Sequence, residues 1–226
     1  MTVLSAAQSA ALRLLGRKPT TIFSSSSTFE MELADLATEA AIAIAKEHEW
    51  QKLKTLATLT GDGSTTAFDL PADYDRMVKD GNLHSSRYQT AYFSRVDSLD
   101  DWILIGDTLA EPSPGSWIVL GGKMNIKPAM ASNETARFYY ISRYIASGKV
   151  VFSADADEFI LPERLLTLGL IWRWRSQKRM EYAEDLQNYE IALSQEIARD
   201  RGARIISVGP QRYSGNVSMP YPGQLG

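Results

Sequence analysis

The apolar residues of this chain change period twice, and a chain that does so has to build two kinds of layer. From Val3 to Leu15, the residues Leu4, Ala7, Ala11, Leu14 and Leu15 recur at spacings of three and four, which marks one face of a helix. Gly16 and Pro19 stop it. After a serine-rich connection, Ser27 or Thr28 caps a second helix with Glu30 and Glu32 in its first turn. Phe29, Leu33, Leu36, Ala40 and Ala43 form its buried stripe, and it ends near Trp50.

From Leu53 the period becomes two. Leu53 to Thr60 alternates apolar and polar residues, Gly61-Asp62-Gly63-Ser64 reads as a turn, and Thr65 to Leu70 reads as the returning partner strand of a hairpin. Further strands are expected over Trp117 to Leu120, Lys123 to Lys127, Ala136 to Tyr144 and Lys149 to Phe152. Gly121-Gly122 and Ser147-Gly148 would be the turns between neighbours, and Leu99 to Ile105 a short helix.

Helical spacing returns at Leu161, with Pro162 in the first helical position and Glu163 behind it. Leu165, Leu168 and Trp172 line one stripe and Leu166, Leu170 and Trp174 a second; the seam continues as Tyr182, Leu186, Tyr189, Leu193 and Ile197. From Pro162 to Arg201 this is either one helix of ~60 Å, at ~1.5 Å per residue, or two helices broken near Gln177 to Met180.

The expected fold is α+β. Residues 1–50 and 158–202 form a helical bundle domain, 51–157 an inserted antiparallel β-rich domain, and 203–226 an extended C-terminal arm with Arg204 and Arg212 and no acidic residue. Residues 1–16 lack a basic stretch ahead of their apolar part and read as a helix rather than a signal peptide. No window reaches the ~18 uninterrupted apolar residues of a membrane span.

Charge and composition exclude several chemistries. The net charge is -3, and residues 51–157 carry 11 basic against 13 acidic groups, so neither the whole chain nor its β part is built as a polyanion-binding surface. The chain has no cysteine, which removes thiolate metal sites and cysteine nucleophiles. His48-Glu49 lacks the second histidine of a zinc-protease helix, and no nucleophile elbow or phosphate-binding glycine loop is present. Asp155, Asp157 and Glu158 form the densest acidic loop, read as a solvated turn before a helix, with an oxygen-ligated cation or a hydrolytic pair as rival readings. Asp69, Asp73 and Asp75 read as turn formers. No catalytic, cofactor or metal residue is assigned.

The residues that do stand out suit assembly. Trp172, Arg173, Trp174, Arg175, Lys178 and Arg179 are followed directly by Glu181, Glu184 and Asp185, and Leu161 to Arg201 holds seven basic and seven acidic residues. Blocks of opposite sign on one rod fit pairing with a sister copy or a partner, where complementarity sets register. The other readings are a solvated face with weak surface pairs, and nucleic-acid contact with the indoles stacking and the cations meeting phosphate. Trp172 and Trp174 lie about 200° apart on a helix, so burying both requires neighbours on two sides.

The run Phe159-Ile-Leu-Pro-Glu-Arg-Leu-Leu-Thr-Leu-Gly-Leu-Ile-Trp-Arg-Trp-Arg-Ser-Gln-Lys, with Glu181-Tyr-Ala-Glu-Asp-Leu-Gln-Asn-Tyr-Glu after it, resembles the C-terminal helices of bacteriophage head-to-tail adaptor proteins. Leu59-Thr-Gly-Asp-Gly-Ser-Thr-Thr-Ala-Phe-Asp-Leu-Pro-Ala-Asp-Tyr is similar to their hairpin. The resemblance implies a structural virion protein of the neck, made in the bacterial host cytoplasm. It would be a ring subunit, usually one of twelve, that docks on the portal protein, extends the DNA channel around packaged DNA and gives tail or neck proteins their attachment surface. Subunit or portal contacts would then fall on the residues from Trp172 to Asp185 named above and on Arg204, Arg212 and Tyr213 of the arm. Two alternatives stand beside it: a tail terminator or tail-tube component, and a carbohydrate-binding module stacking sugars on Trp102, Trp117, Tyr139 or Tyr140.

Overall fold

A computed structural model describes residues 2–88, 90–105 and 112–201. Five helices are α1 (Val3–Leu15), α2 (Thr28–Glu47), α3 (Leu99–Leu104), α4 (Glu163–Gln177) and α5 (Ala183–Asp200). Eight strands are β1 (Lys54–Thr60), β2 (Ala67–Asp69), β3 (Tyr74–Met77), β4 (His84–Ser85), β5 (Ser94–Arg95), β6 (Ser116–Leu120), β7 (Lys123–Lys127) and β8 (Thr135–Ser142). The fold is α+β, as expected. One core is built by α1, α2, α4 and α5 with residues from 145–161, and a second by the β layers.

Alanine sets the spacing of the helical core. The buried face of α1 is Val3, Ala6, Ala7, Ala10 and Ala11, and α2 adds Ala37, Ala40, Ala41 and Ile44 to Leu33 and Leu36. Side chains this small let axes approach closely, so α4 is covered on nearly all sides: Leu165, Leu166, Gly169, Leu170, Ile171 and Trp174 are buried. At Gly169 a Cβ would lie 3.6 Å from Ala40 of α2 and 3.7 Å from the Tyr189 ring of α5, so three helices meet at that position. Ser5 of α1 donates to Glu163 of α4, which places both N-termini at one end; Trp174 of α4 meets Phe29 of α2 at the other.

Several expectations about this unit are corrected. Of the face expected for α1, Ala7 and Ala11 are buried and Leu4 and Leu14 pack half-buried against the core, while Leu15 is exposed because Ala6 and Ala10 take the closer contact. Ser27 stands at the N-cap of α2, as expected, but its side chain makes no capping bond. Pro162 is the N-cap of α4 rather than its first residue. The last helical segment follows the second of its two readings, two helices broken after Gln177. Arg179 at φ 56° ends α4, with Met180 N–H donating to Arg175 C=O at 2.9 Å and Arg179 N–H to Ser176 C=O at 3.0 Å, the paired bonds of a Schellman turn. Glycine usually fills that left-handed position. Arg179→Gly is accordingly expected to raise stability by about 1 kcal/mol, measurable by urea denaturation.

The hairpin expected over Leu53 to Leu70 does not form. β1 pairs antiparallel with β8 over seven residues, Lys54↔Ile141 through Thr60↔Thr135, while β2 pairs with β7. Around Gly61 the chain leaves one sheet for the other. Gly61 N–H donates to Glu134 C=O at 2.8 Å and Gly63 N–H to Met130 C=O at 3.0 Å, while Asp62 accepts from the Ser64 and Thr65 amides. One sheet runs β1-β8-β3 with β4 also on β8, and the other β2-β7-β6-β5, with β5 parallel to β6. Ala57, Leu59, Ala136, Phe138 and Tyr140 from the first sheet face Trp117, Met124 and Ile126 from the second. The next residue of β8, Ile141, points the opposite way and joins the helical core, so the same strand is clamped by both.

Gly121-Gly122 makes the β6–β7 turn with both residues at positive φ, and α3 forms as expected with Ser98 capping it. Lys149 to Phe152 is not a strand. Lys149 bridges back to Ala146 across Ser147-Gly148, after which Phe152 turns into the helical core against Phe159.

Candidate functional site

The charged and aromatic run singled out from sequence lies on α4, the corner after it and the first turn of α5. Much of it is spent inside the chain. Trp174 is buried, edge-on to Phe29 with centroids 5.5 Å apart, and its indole N–H donates to Glu32 at 3.1 Å. Lys178 bonds the same carboxylate at 2.6 Å, and Arg175 pairs with Asp185 across the α4–α5 hairpin. Trp172 is half-buried on the opposite side of α4, packed against Tyr189 of α5 with Arg173 over its face at 4.4 Å. Both sides of the helix are therefore covered by its own chain.

What stays in water is the corner. Arg179, Glu181 and Glu184 are exposed, and Arg179 forms no ion pair among the described residues. Around them lies an apolar rim: Leu12 and Leu15 of α1, Met31 of α2, then Met180 and Tyr182, all between 38% and 50% exposed. These belong to one end of the helical unit, because Arg17 just after α1 pairs with Glu30 at 2.9 Å and covers Phe29, while Trp174 and Lys178 reach Phe29 and Glu32. Leaving such side chains in water forgoes roughly 1.5–3 kcal/mol each relative to burial. Gathered at one end, they form an exposed apolar patch. Sequence reasoning found the charges but missed this rim. Its signal was present in α1, where Val3 and four alanines sufficed for the buried face and left Leu12 and Leu15 over.

Arg204, Arg212 and Tyr213 lie outside the described residues.

The acidic loop has a structural task. The Asp155 carboxylate receives the Thr21 hydroxyl and the amides of Ile22 (2.9 Å) and Phe23 (3.2 Å), pinning the α1–α2 connection to the α4 side of the core. Asp157 receives Lys149 Nζ at 2.6 Å and the amides of Ser153 and Ala154. Burial opposes ionisation of both, but these donors outweigh it and hold both carboxyls low, Asp157 at about 2. A carboxyl whose folded pKa lies below its unfolded value stabilises fully above about pH 4, and that contribution is lost as pH falls toward about 2. Asp157→Asn should therefore cost about 1–2 kcal/mol at neutral pH and flatten the acid limb of stability against pH, read by urea midpoints at several pH values.

Asp73 accepts the Tyr140 hydroxyl at 2.8 Å, and Asp69 pairs with Lys123 at 3.0 Å. Of the aromatic residues considered as sugar platforms, Trp102, Trp117 and Tyr140 face inward and only Tyr139 is exposed, so no stacking surface is assembled from them. His48 Nε2 donates to the Asp200 carboxylate at 3.2 Å and the ring lies edge-on to Trp50, tying the end of α5 to the end of α2.

The structure thus holds two cores joined through one strand, loop carboxylates that tie the fold together, and an apolar end on the helical unit. The chain matches the family model described as SU10 adaptor protein over residues 1–219. It belongs to that family, a family of phage head-tail adaptors, and is a bacteriophage virion component whose class contacts head and tail proteins. No curated protein matches it. No helix among the described residues is long and apolar enough to cross a membrane.

Proposed function

We propose that this protein is a ring subunit that docks on the portal, lengthens the DNA channel and converts the portal surface into one that the tail binds. The observation that carries the reading is the family match over residues 1–219. The exposed end of the helical unit supports it: Leu12, Leu15, Met31, Met180 and Tyr182 supply apolar area, while Arg179, Glu181 and Glu184 supply charges of both signs for register. Trp172, Arg173, Trp174, Arg175, Lys178 and Asp185 form the rigid support behind that surface. Sister copies, twelve in a closed ring, pack side by side through it. The protein works by shape and complementarity, with no bond made or broken, and DNA passes without sequence-specific contact.

The acid-free segment 203–226, with Arg204, Arg212 and Tyr213, reaches the portal or a neighbour. Removing residues 203–226 is expected to leave a folded protein that no longer joins purified portal, read by mass measurement of each protein alone and of the mixture. A truncated chain that still forms a normal portal complex refutes the arm's role. A full-length chain that never associates with portal refutes the docking reading itself.

A further inference from the structure

β1 is an outermost strand, with β8 on one side and no strand of the described residues on the other. The bonds around β8 identify the backbone groups left over. Thr135 gives its C=O to Ser86 N–H at 2.7 Å and its N–H to Ser86 Oγ at 2.9 Å, and Tyr139 C=O accepts from Val78 N–H at 3.5 Å. Both residues thus turn away from β1. Their β1 partners, Thr60 and Leu56, turn away equally in an antiparallel ladder, and Thr58 shares their parity. Leu56, Thr58 and Thr60 therefore present N–H and C=O groups to the open side.

This edge lacks the usual guards. Its register with β8 is unbroken, it contains no proline, and no charge follows Lys54. Leu56 and Tyr139, directly opposite each other, are 48% and 57% exposed on the adjoining face. α5 ends beside the start of this strand. Asp200 accepts from the Gln51 amide at 3.0 Å and meets His48, and Arg201 and Lys54 line one cleft. Three residues beyond Arg201 the sequence reads Arg204-Ile-Ile-Ser-Val, rich in β-branched residues and closed by Gly209-Pro210. Five extended residues span ~17 Å at ~3.3 Å each, which fits along the seven residues of β1.

We propose that residues 204–208 add to the open edge of β1 in the same chain, running parallel to it because they set out from its Lys54 end. Three residues of connection keep the segment at high effective concentration beside its site. Gly209-Pro210 ends the strand, and the arm free to reach a partner begins there.

Hydrogen exchange on the full chain tests this without portal, so its failure is separate from any failure of docking. Amides of Leu56, Thr58 and Thr60 should exchange at least about tenfold more slowly than in an Ile205→Asp, Ile206→Asp variant, at every protein concentration. Thr58→Pro, which removes only an outward N–H, should release Leu56 and Thr60 while the β1–β8 ladder stays protected. Equal rates in parent and variant overturn the proposal; so does protection that grows with protein concentration, which assigns the strand to another copy. The chain has no native cysteine, so Thr58→Cys can be paired with a cysteine at 205, 206 or 207. An internal disulfide in a monomer supports the assignment, and covalent dimers or no cross-link at any of the three oppose it.

Discussion

Gly61→Ala should lower the stability of the β layers by about 2–3 kcal/mol. A Cβ at this position would lie 2.5 Å from Ala131 C=O, 2.6 Å from Met130 Cβ and 2.9 Å from Met130 C=O. Two of those contacts are backbone, which no side-chain rotation relieves. The segment is also held from both directions, since Gly61 N–H donates to Glu134 and Gly61 C=O accepts from Asn133 N–H. Any shift that admits the methyl group therefore breaks the bonds by which the chain passes between sheets. Gly121→Ala is the comparison. It has positive φ but nothing within 4 Å, so only the backbone cost of about 1 kcal/mol applies. Urea denaturation of the two variants settles the order, and equal losses would mean that sterics at Gly61 are not what holds the crossing.

That crossing also shows where sequence reasoning stopped. Alternation over Leu53 to Thr60 identified a strand correctly, because a half-buried strand needs a period of two. It did not identify the partner, because Ala57 and Leu59 have the same pattern whether the strand beside them is ten or eighty residues away. The tight turns were legible: Gly121-Gly122 joins two strands too close along the chain for anything but a hairpin. Tyr74–Met77, His84–Ser85 and Ser94–Arg95 were not, since short strands sharing one side of β8 or at an edge carry too few residues to show a period.

The candidate site divides in the same way. Residue types announced a cluster of cations and indoles from Trp172 to Arg179, and the cluster exists. Its partners, Glu32, Glu39, Phe29 and Tyr189, come from elements that spacing could not bring to it. The helical break at Arg179 was one of two sequence readings, and no glycine marks it. The turn is instead enforced by tertiary contacts that fold α5 back on α4 through Arg175–Asp185 and the Tyr189 ring.

Trp174→Ala is expected to be the most damaging single change in the helical unit, costing about 3–5 kcal/mol. The side chain is 8% exposed, and its removal empties the space between α2 and α4 next to Phe29. It also removes the indole N–H from Glu32 and the ring beneath Lys178, leaving their ion pair without its packing. The same end of the unit carries Met31, Met180 and Tyr182, so loosening it would disorganise the proposed contact surface as well. Trp172→Phe is the matched control. Its indole nitrogen is buried without a hydrogen-bond partner among the described residues, so phenylalanine removes that donor while keeping a ring against Tyr189, and stability should change by less than about 1 kcal/mol. If Trp174 served a neighbouring subunit rather than its own core, the alanine variant would unfold at the parent's urea concentration and fail only in assembly. A large loss of stability in the isolated chain, with Trp172→Phe unchanged, places Trp174 behind the interface and not in it.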